Sequence, residues 1–127
     1  MTQSPDESTS ANRWVESLFS SIDRQDEQRF ASFLTEDASF RFGNAPAVSG
    51  RKEAGEAVAD FFSSIEALSH EILGVWRSDE TVVCELAVTY TRRDGERLTL
   101  PAATIFSMRE GLIEDYKIFA DISPLYI

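Results

Sequence analysis

The sequence predicts an α+β domain in which three N-terminal helices pack on a curved, mostly antiparallel sheet. Two features of residue spacing carry that expectation: apolar residues before Ser69 recur at helical spacing, whereas after Ser69 apolar and polar residues alternate as in half-buried strands. A third is the brevity of the links between those later stretches, which permits only antiparallel pairing. A chain of 127 residues is one domain's worth, and nine Phe, two Trp and three Tyr supply both a core and the walls of a cavity.

Residues 1–10 read as a disordered leader and 11–127 as the single domain. Ser10 is the expected cap of a first helix whose face carries Ala11, Trp14, Val15, Leu18 and Ile22. Asp26 caps a second, with Glu27 at the positive end of its dipole and Phe30, Phe33 and Leu34 on its apolar side, ending near Thr35. Ala38, Phe40 and Phe42 then alternate as a strand that Gly43, Asn44 and Pro46 break. From Ser49 onward, Ala54, Ala57, Val58, Phe61, Phe62 and Ile65 form the broad stripe of a long core-facing helix. Strands follow at 70–77, 81–92, 96–108 and 112–122, with turns at Ser78-Asp79, Asp94-Gly95 and Glu110-Gly111. Strand parity groups Val82, Cys84, Leu86, Val88 and Tyr90 on one face, and Leu98, Leu100, Ala102, Thr104, Phe106 and Met108 on another. Helices on one side of a bent sheet leave a cavity between the layers.

Composition excludes several functions. A formal charge of -10 repels phosphate backbones and anionic headgroups, so no nucleic acid and no membrane partner is expected. The single cysteine, Cys84, lies in an apolar run and suits a reducing, cytoplasmic setting as a packing residue. Neither a signal-peptide core nor a membrane-length apolar run is present in the sequence. One His and one Cys cannot supply the usual zinc set, and calcium and dinucleotide fingerprints are missing, so neither metal nor cofactor is expected. Gly50-Arg51-Lys52 could greet an anion at a helix start, but such a start is commonly just solvated.

The order helix, short helix, strand, long helix and four-strand meander resembles the cone-shaped nuclear transport factor 2-like superfamily. That group includes SnoaL-like polyketide cyclases, ketosteroid isomerases and limonene epoxide hydrolases. The resemblance spans Ala11 to Tyr126 and is most specific in Leu34-Thr35-Glu36-Asp37-Ala38-Ser39-Phe40, in Ser49-Gly50-Arg51 and in the run from Arg109 to Asp121. Where the ketosteroid isomerases carry a Tyr, an acid and a proton-moving Asp, the matching positions hold Leu18, Thr104 and Phe42, which argues against that mechanism. Where the epoxide hydrolases carry an Arg and an Asp, the matching positions hold Leu86 and Val88. The surviving polar match is Asp121, which resembles the acid that the cyclases and epoxide hydrolases use at this strand end.

Two candidate catalytic groups follow. Asp121 shares strand parity with Phe119 and Lys117; in an apolar pocket its carboxyl would rise toward the range useful for acid and base work, unless Lys117 pairs with it. His70, the single histidine, has the side chain best suited to moving protons near neutral pH. Its position is read as a helix-to-strand junction. Trp14, Leu18, Phe42, Phe62, Leu86, Val88, Tyr90, Thr104, Phe106 and Phe119 are the expected pocket residues, and their character favours a small apolar molecule. Val83, Ala87, Ala103 and Ile105 on the opposite sheet face predict a homodimer. The expected activity is general acid/base isomerisation, cyclisation or hydration of a small apolar metabolite, in the manner of the SnoaL-like proteins. The alternative is a non-catalytic ligand-binding or dimerisation module of the same fold.

Overall fold

The computed structural model describes residues 9–126, with side chains from Arg13 onward. Helices α1 (Thr9–Asp23) and α2 (Glu27–Ala31) lead into strand β1 (Leu34–Phe42) and the short β2 (Val48–Ser49). Helix α3 (Arg51–Ser63) precedes β3 (Ala67–Ser78), β4 (Thr81–Thr91), β5 (Arg97–Arg109) and β6 (Leu112–Ala120), and a 3-10 turn (Ser123–Tyr126) follows. The strands form one sheet in the order β2-β1-β6-β5-β4-β3, antiparallel at every pairing but β1 with β6. The expected helices, first strand and four-strand meander are therefore present. The differences are the short β2, which lies where a loop was expected, and the element ends, where tertiary contacts override local pattern.

Ser10 lies within α1 rather than at its cap, and residues 9 and 10 are helical rather than part of a disordered leader; residues 1–8 fall outside those described. Gln25 takes a left-handed φ of 55° to turn the chain, and the Asp26 carboxylate accepts the Arg29 N–H at 3.1 Å, capping α2 as expected. That helix ends at Ala31, because the sheet claims the next apolar pair: Ile113 N–H donates to the Phe33 carbonyl at 2.9 Å and Leu34 pairs with Ile113. Arg51 fixes the junction by donating from Nε and Nη2 to the Leu34 carbonyl at 3.0 and 2.7 Å. Its guanidinium is thus spent on the fold instead of being held out to an anion. Gly50 permits that geometry at φ 101°, its N–H reaching the Ala38 carbonyl at 2.7 Å.

The core lies between the helices and the concave sheet face. Val82, Cys84, Leu86, Val88 and Tyr90 of β4, with Ala102, Thr104, Phe106 and Met108 of β5, are buried there, as parity requires. Burial pushes the Cys84 thiol up to about 11, so it stays protonated and inert at neutral pH. Cys84→Ala is expected to cost about 1 kcal/mol, and a bulky thiol reagent should label the native protein only as fast as it unfolds. Rapid labelling would disprove that burial.

A register shift between Ile72 and Gly74 marks a bulge in β3, and the Trp76 ring folds over Gly74 into the space a side chain would need. Gly74→Ala must displace that ring. The expected result is a loss of about 1–3 kcal/mol with a changed Trp76 emission spectrum; an unchanged denaturation midpoint would show that the ring moves freely.

Candidate active site in the apolar cavity

The sheet curls around a cavity walled mainly by apolar side chains, among them Phe19 and Ile22 of α1, Phe30 of α2, Phe40 and Phe42 of β1, and Val58, Phe61 and Phe62 of α3. From the sheet Leu68, Leu86, Val88, Ala102 and Ile118 complete the lining, and His70, Tyr90, Thr104 and Tyr116 bring its polar atoms. The cavity itself is about 40 Å³, within about 480 Å³ of space between the walls that includes its open mouth. That is room for a few waters, so a larger guest must swing side chains aside. The half-buried Phe42 and Phe61, whose rings meet at 5.0 Å, are the least confined of the aromatic walls.

Asp23, the last residue of α1, accepts two hydrogen bonds from His70 on β3: one from the backbone N–H to Oδ2 at 3.0 Å and one between Nδ1 and Oδ1 at 2.6 Å. A carboxylate can only accept, so the shared hydrogen belongs to Nδ1, which leaves Nε2 as the ring's acceptor. Nε2 has no partner among the described residues. The imidazole side chain is 9% exposed and stacks on Phe19 with centroids 4.8 Å apart. The carboxylate, the helix end and the Phe19 ring together lock the orientation of a base at the cavity wall.

Three other polar groups stand in the lining. Burial pushes the Tyr90 hydroxyl up to about 12 and the Tyr116 hydroxyl still higher, so both remain neutral donors at physiological pH. Thr104 is 2% exposed, and its Oγ1 has no hydrogen-bond partner. The facing Cys84 thiol feels that hydroxyl, which offsets part of the rise in the thiol pKa, but the pair lacks hydrogen-bond geometry. Among the described residues no cluster of three His, Cys, Asp or Glu side chains could hold a metal.

Several expectations for the site are corrected here. Asp121 lies past the end of β6 and is exposed on the convex side, where its Oδ1 accepts the Ser123 N–H at 3.0 Å. That bond holds its carboxyl below the ordinary value rather than above it. Parity did group Asp121 with Phe119 and Lys117, but that face is the outer one. Lys117 pairs with Asp115 at 3.4 Å instead. Phe119 is 52% exposed on the same face; Leu18 and Phe106 are buried in the core behind the cavity wall. Trp14 packs on Phe106 at 5.9 Å and borders a surface groove with Arg77 and Met108. His70 sits inside β3, three residues past its start, rather than at a junction. Phe42, Phe62, Leu86, Val88, Tyr90 and Thr104 do line the cavity.

Asp23 was missed by sequence reading, yet one signal was available. An acidic residue at a helix C-terminus opposes the helix dipole, and α1 has no basic residue in its last turn to compensate. Such a locally unfavourable placement suggests a tertiary use.

A helix-covered, curled sheet with a half-buried His-carboxylate pair at an apolar cavity defines the architecture. The sequence matches the SnoaL-like domain over residues 15–116, and the chain belongs to that family, with the nuclear transport factor 2-like fold. A candidate SnoaL-like polyketide cyclase from Jannaschia sp. is similar, at 21% identity, TM-score 0.79, and coverage of 98% of this chain and 94% of that one. A hypothetical protein of ketosteroid isomerase-like fold from Catenulispora acidiphila, solved with trimethylamine, is 15% identical with TM-score 0.81 over 87% of each chain. TerC, co-crystallised with polyporic acid, is 14% identical with TM-score 0.79 over 90% of this chain and 93% of that one. At these identities the likeness is one of fold. No curated protein matches the sequence.

Proposed function

We propose that this SnoaL-like protein is a general-base enzyme that moves a proton on a small, largely apolar molecule, with His70 Nε2 as the base and Asp23 as the residue that positions it. The observation that carries this reading is the paired acceptance by Asp23, because one carboxylate fixes both the backbone and the ring of the same histidine. Isomerisation and cyclisation both begin with such a proton removal. The apolar walls favour a guest with little charge, and the binding of small molecules by the relatives solved with trimethylamine and polyporic acid is consistent with it.

The test uses β-tetralone, an apolar bicyclic ketone with exchangeable C–H groups, incubated in deuterated buffer and followed by proton NMR. Wild-type protein is expected to accelerate exchange above the buffer rate, and His70→Gln to return it to that rate. No acceleration, or acceleration that His70→Gln leaves untouched, would leave the non-catalytic binding module standing. In the same assay Asp121→Asn is expected to keep the rate within about twofold, since that carboxylate holds a turn outside the cavity. A hundredfold fall there would restore Asp121 as the reacting acid. The depressed pKa of Asp121 has a separate consequence: its carboxylate supports the turn above its unfolded value, near 4, and that support is lost as pH falls through the lower folded value.

We propose further that the convex face joins two copies of the chain. Leu73 and Phe119, 48% and 52% exposed, flank a shallow groove with Ala87, Pro101 and Ala103. Water penalises such a patch, and a two-fold pairing would cover it. Light scattering at micromolar concentration is expected to give twice 14.2 kDa, and a monomer mass would reject the pairing.

A further inference from the structure

Thr104 Oγ1 is the buried side-chain polar atom that the fold leaves without a partner among the described residues. Its residue is 2% exposed and stands in the cavity lining, flanked on its own strand by Ala102 and Phe106. A hydroxyl donates one hydrogen and accepts into two lone pairs, and an unused buried donor is the costlier omission. An apolar residue of the same shape would fill this place without that cost. Buried polar atoms kept in that condition inside a pocket are the ones that orient a guest.

We infer that Thr104 is a specificity-determining residue that donates a hydrogen bond to an acceptor oxygen of the guest, carried at a point remote from the carbon that His70 deprotonates. The inference rests on the proposed general-base reading for the location of the reacting carbon, and sheet register supplies the separation. His70 pairs with Val88 on β4, whereas Thr104 pairs with Cys84 on the same strand from the other side. The two residues therefore stand two strands apart, about 10 Å across the sheet, and are offset by about 13 Å along it at ordinary strand spacing. The Phe19 ring lies between, 4.8 Å from the imidazole and 6.4 Å from Phe106, the neighbour of Thr104 on the inner face. The guest that satisfies both groups is an elongated apolar molecule, with its acidic C–H toward β3 and a carbonyl, hydroxyl or ether oxygen toward β5.

A matched pair of guests isolates the hydroxyl: para-fluoroacetophenone carries an acceptor oxygen where para-fluoroethylbenzene has a methylene. Fluorine NMR titration of wild-type protein is expected to show a preference for the ketone, and Thr104→Val to reduce that preference about tenfold while leaving the hydrocarbon's affinity unchanged. Thr104→Ser should retain the preference. The same Thr104→Val protein is expected to melt higher than wild type without guest, because it no longer buries an unused donor. A merely structural threonine would give the opposite shift. Equal affinities of the ketone for wild type and Thr104→Val would overturn the assignment and indicate a hydroxyl satisfied by water alone. His70→Gln separates the two proposals: the ketone preference should survive in it, and loss of proton exchange there with an unchanged Thr104→Val result would support both. Failure of wild-type protein to bind either guest would overturn this inference together with the reading beneath it.

Discussion

Asp23→Asn is expected to slow proton exchange in bound β-tetralone by a hundredfold or more while leaving the fold intact. Asp23 accepts from the His70 backbone N–H at 3.0 Å and from Nδ1 at 2.6 Å, whereas an amide has one accepting oxygen and one donating nitrogen. If the amide oxygen keeps the backbone N–H, its NH2 faces Nδ1 and forces the hydrogen onto Nε2, the atom that must be a free base. If the oxygen turns to Nδ1 instead, a donor faces the backbone N–H and the strand loses its anchor to α1. Either choice breaks one bond, at a stability cost of about 1–3 kcal/mol. The first also removes the base, and loss of a positioned general base is ordinarily worth about 100-fold or more in rate. Nitrogen-15 NMR of the His70 ring reads the tautomer directly. An Asp23→Asn variant with wild-type exchange and an unchanged tautomer would show that the carboxylate is only a structural tie.

Phe106→Ala is expected to be the most destabilising of the substitutions considered, by about 3–5 kcal/mol. Its side chain is fully buried and meets Tyr116 at 4.6 Å, Trp14 at 5.9 Å and Phe19 at 6.4 Å. Truncation leaves a hole that rigid strands on both sides cannot fill, and a domain stable by only about 5–15 kcal/mol loses a large share of its reserve. The consequence reaches the site. Phe106 backs Phe19, and Phe19 supports the His70 ring, so the variant's imidazole should lose orientation even below the melting temperature. Chemical denaturation measures the first effect, and the His70 line width measures the second. A midpoint shift of less than about 1 kcal/mol would mean that neighbouring rings collapse into the gap. Phe106→Leu, which keeps most of the volume, should cost less.

Much of the fold was legible because it rests on periodicity. The stripe from Ala54 to Phe62 and the alternation of Val82, Cys84, Leu86, Val88 and Tyr90 each specify an inward face; the β4 residues are all buried, and in the helix Ala54, Val58 and Phe62 are buried with Ala57 and Phe61 half-buried beside them. Element ends were less legible. Phe33 and Leu34 fit a helix face as well as a strand, and only Ile113, far along the chain, decides between them. The site was the least legible part. His70 stood out as the single histidine, but its partner lies 47 residues away on another element. Asp121 misled because alternation pairs residues on a face without saying which face is inside; Lys117 and Phe119 shared its parity, and all three are outside.

By itself the sequence determined the class of fold, the inward faces of β4 and β5, an acidic surface and an aromatic supply large enough for a lined cavity. These are local or compositional properties, written in the spacing of neighbours. Only the tertiary structure decided that Asp23 and not Asp121 reaches the histidine, and that Thr104 is buried with its hydroxyl unused. Those outcomes depend on how far the sheet curls and where α1 ends against β3, and both are set by long-range packing, which pattern within a single segment does not encode.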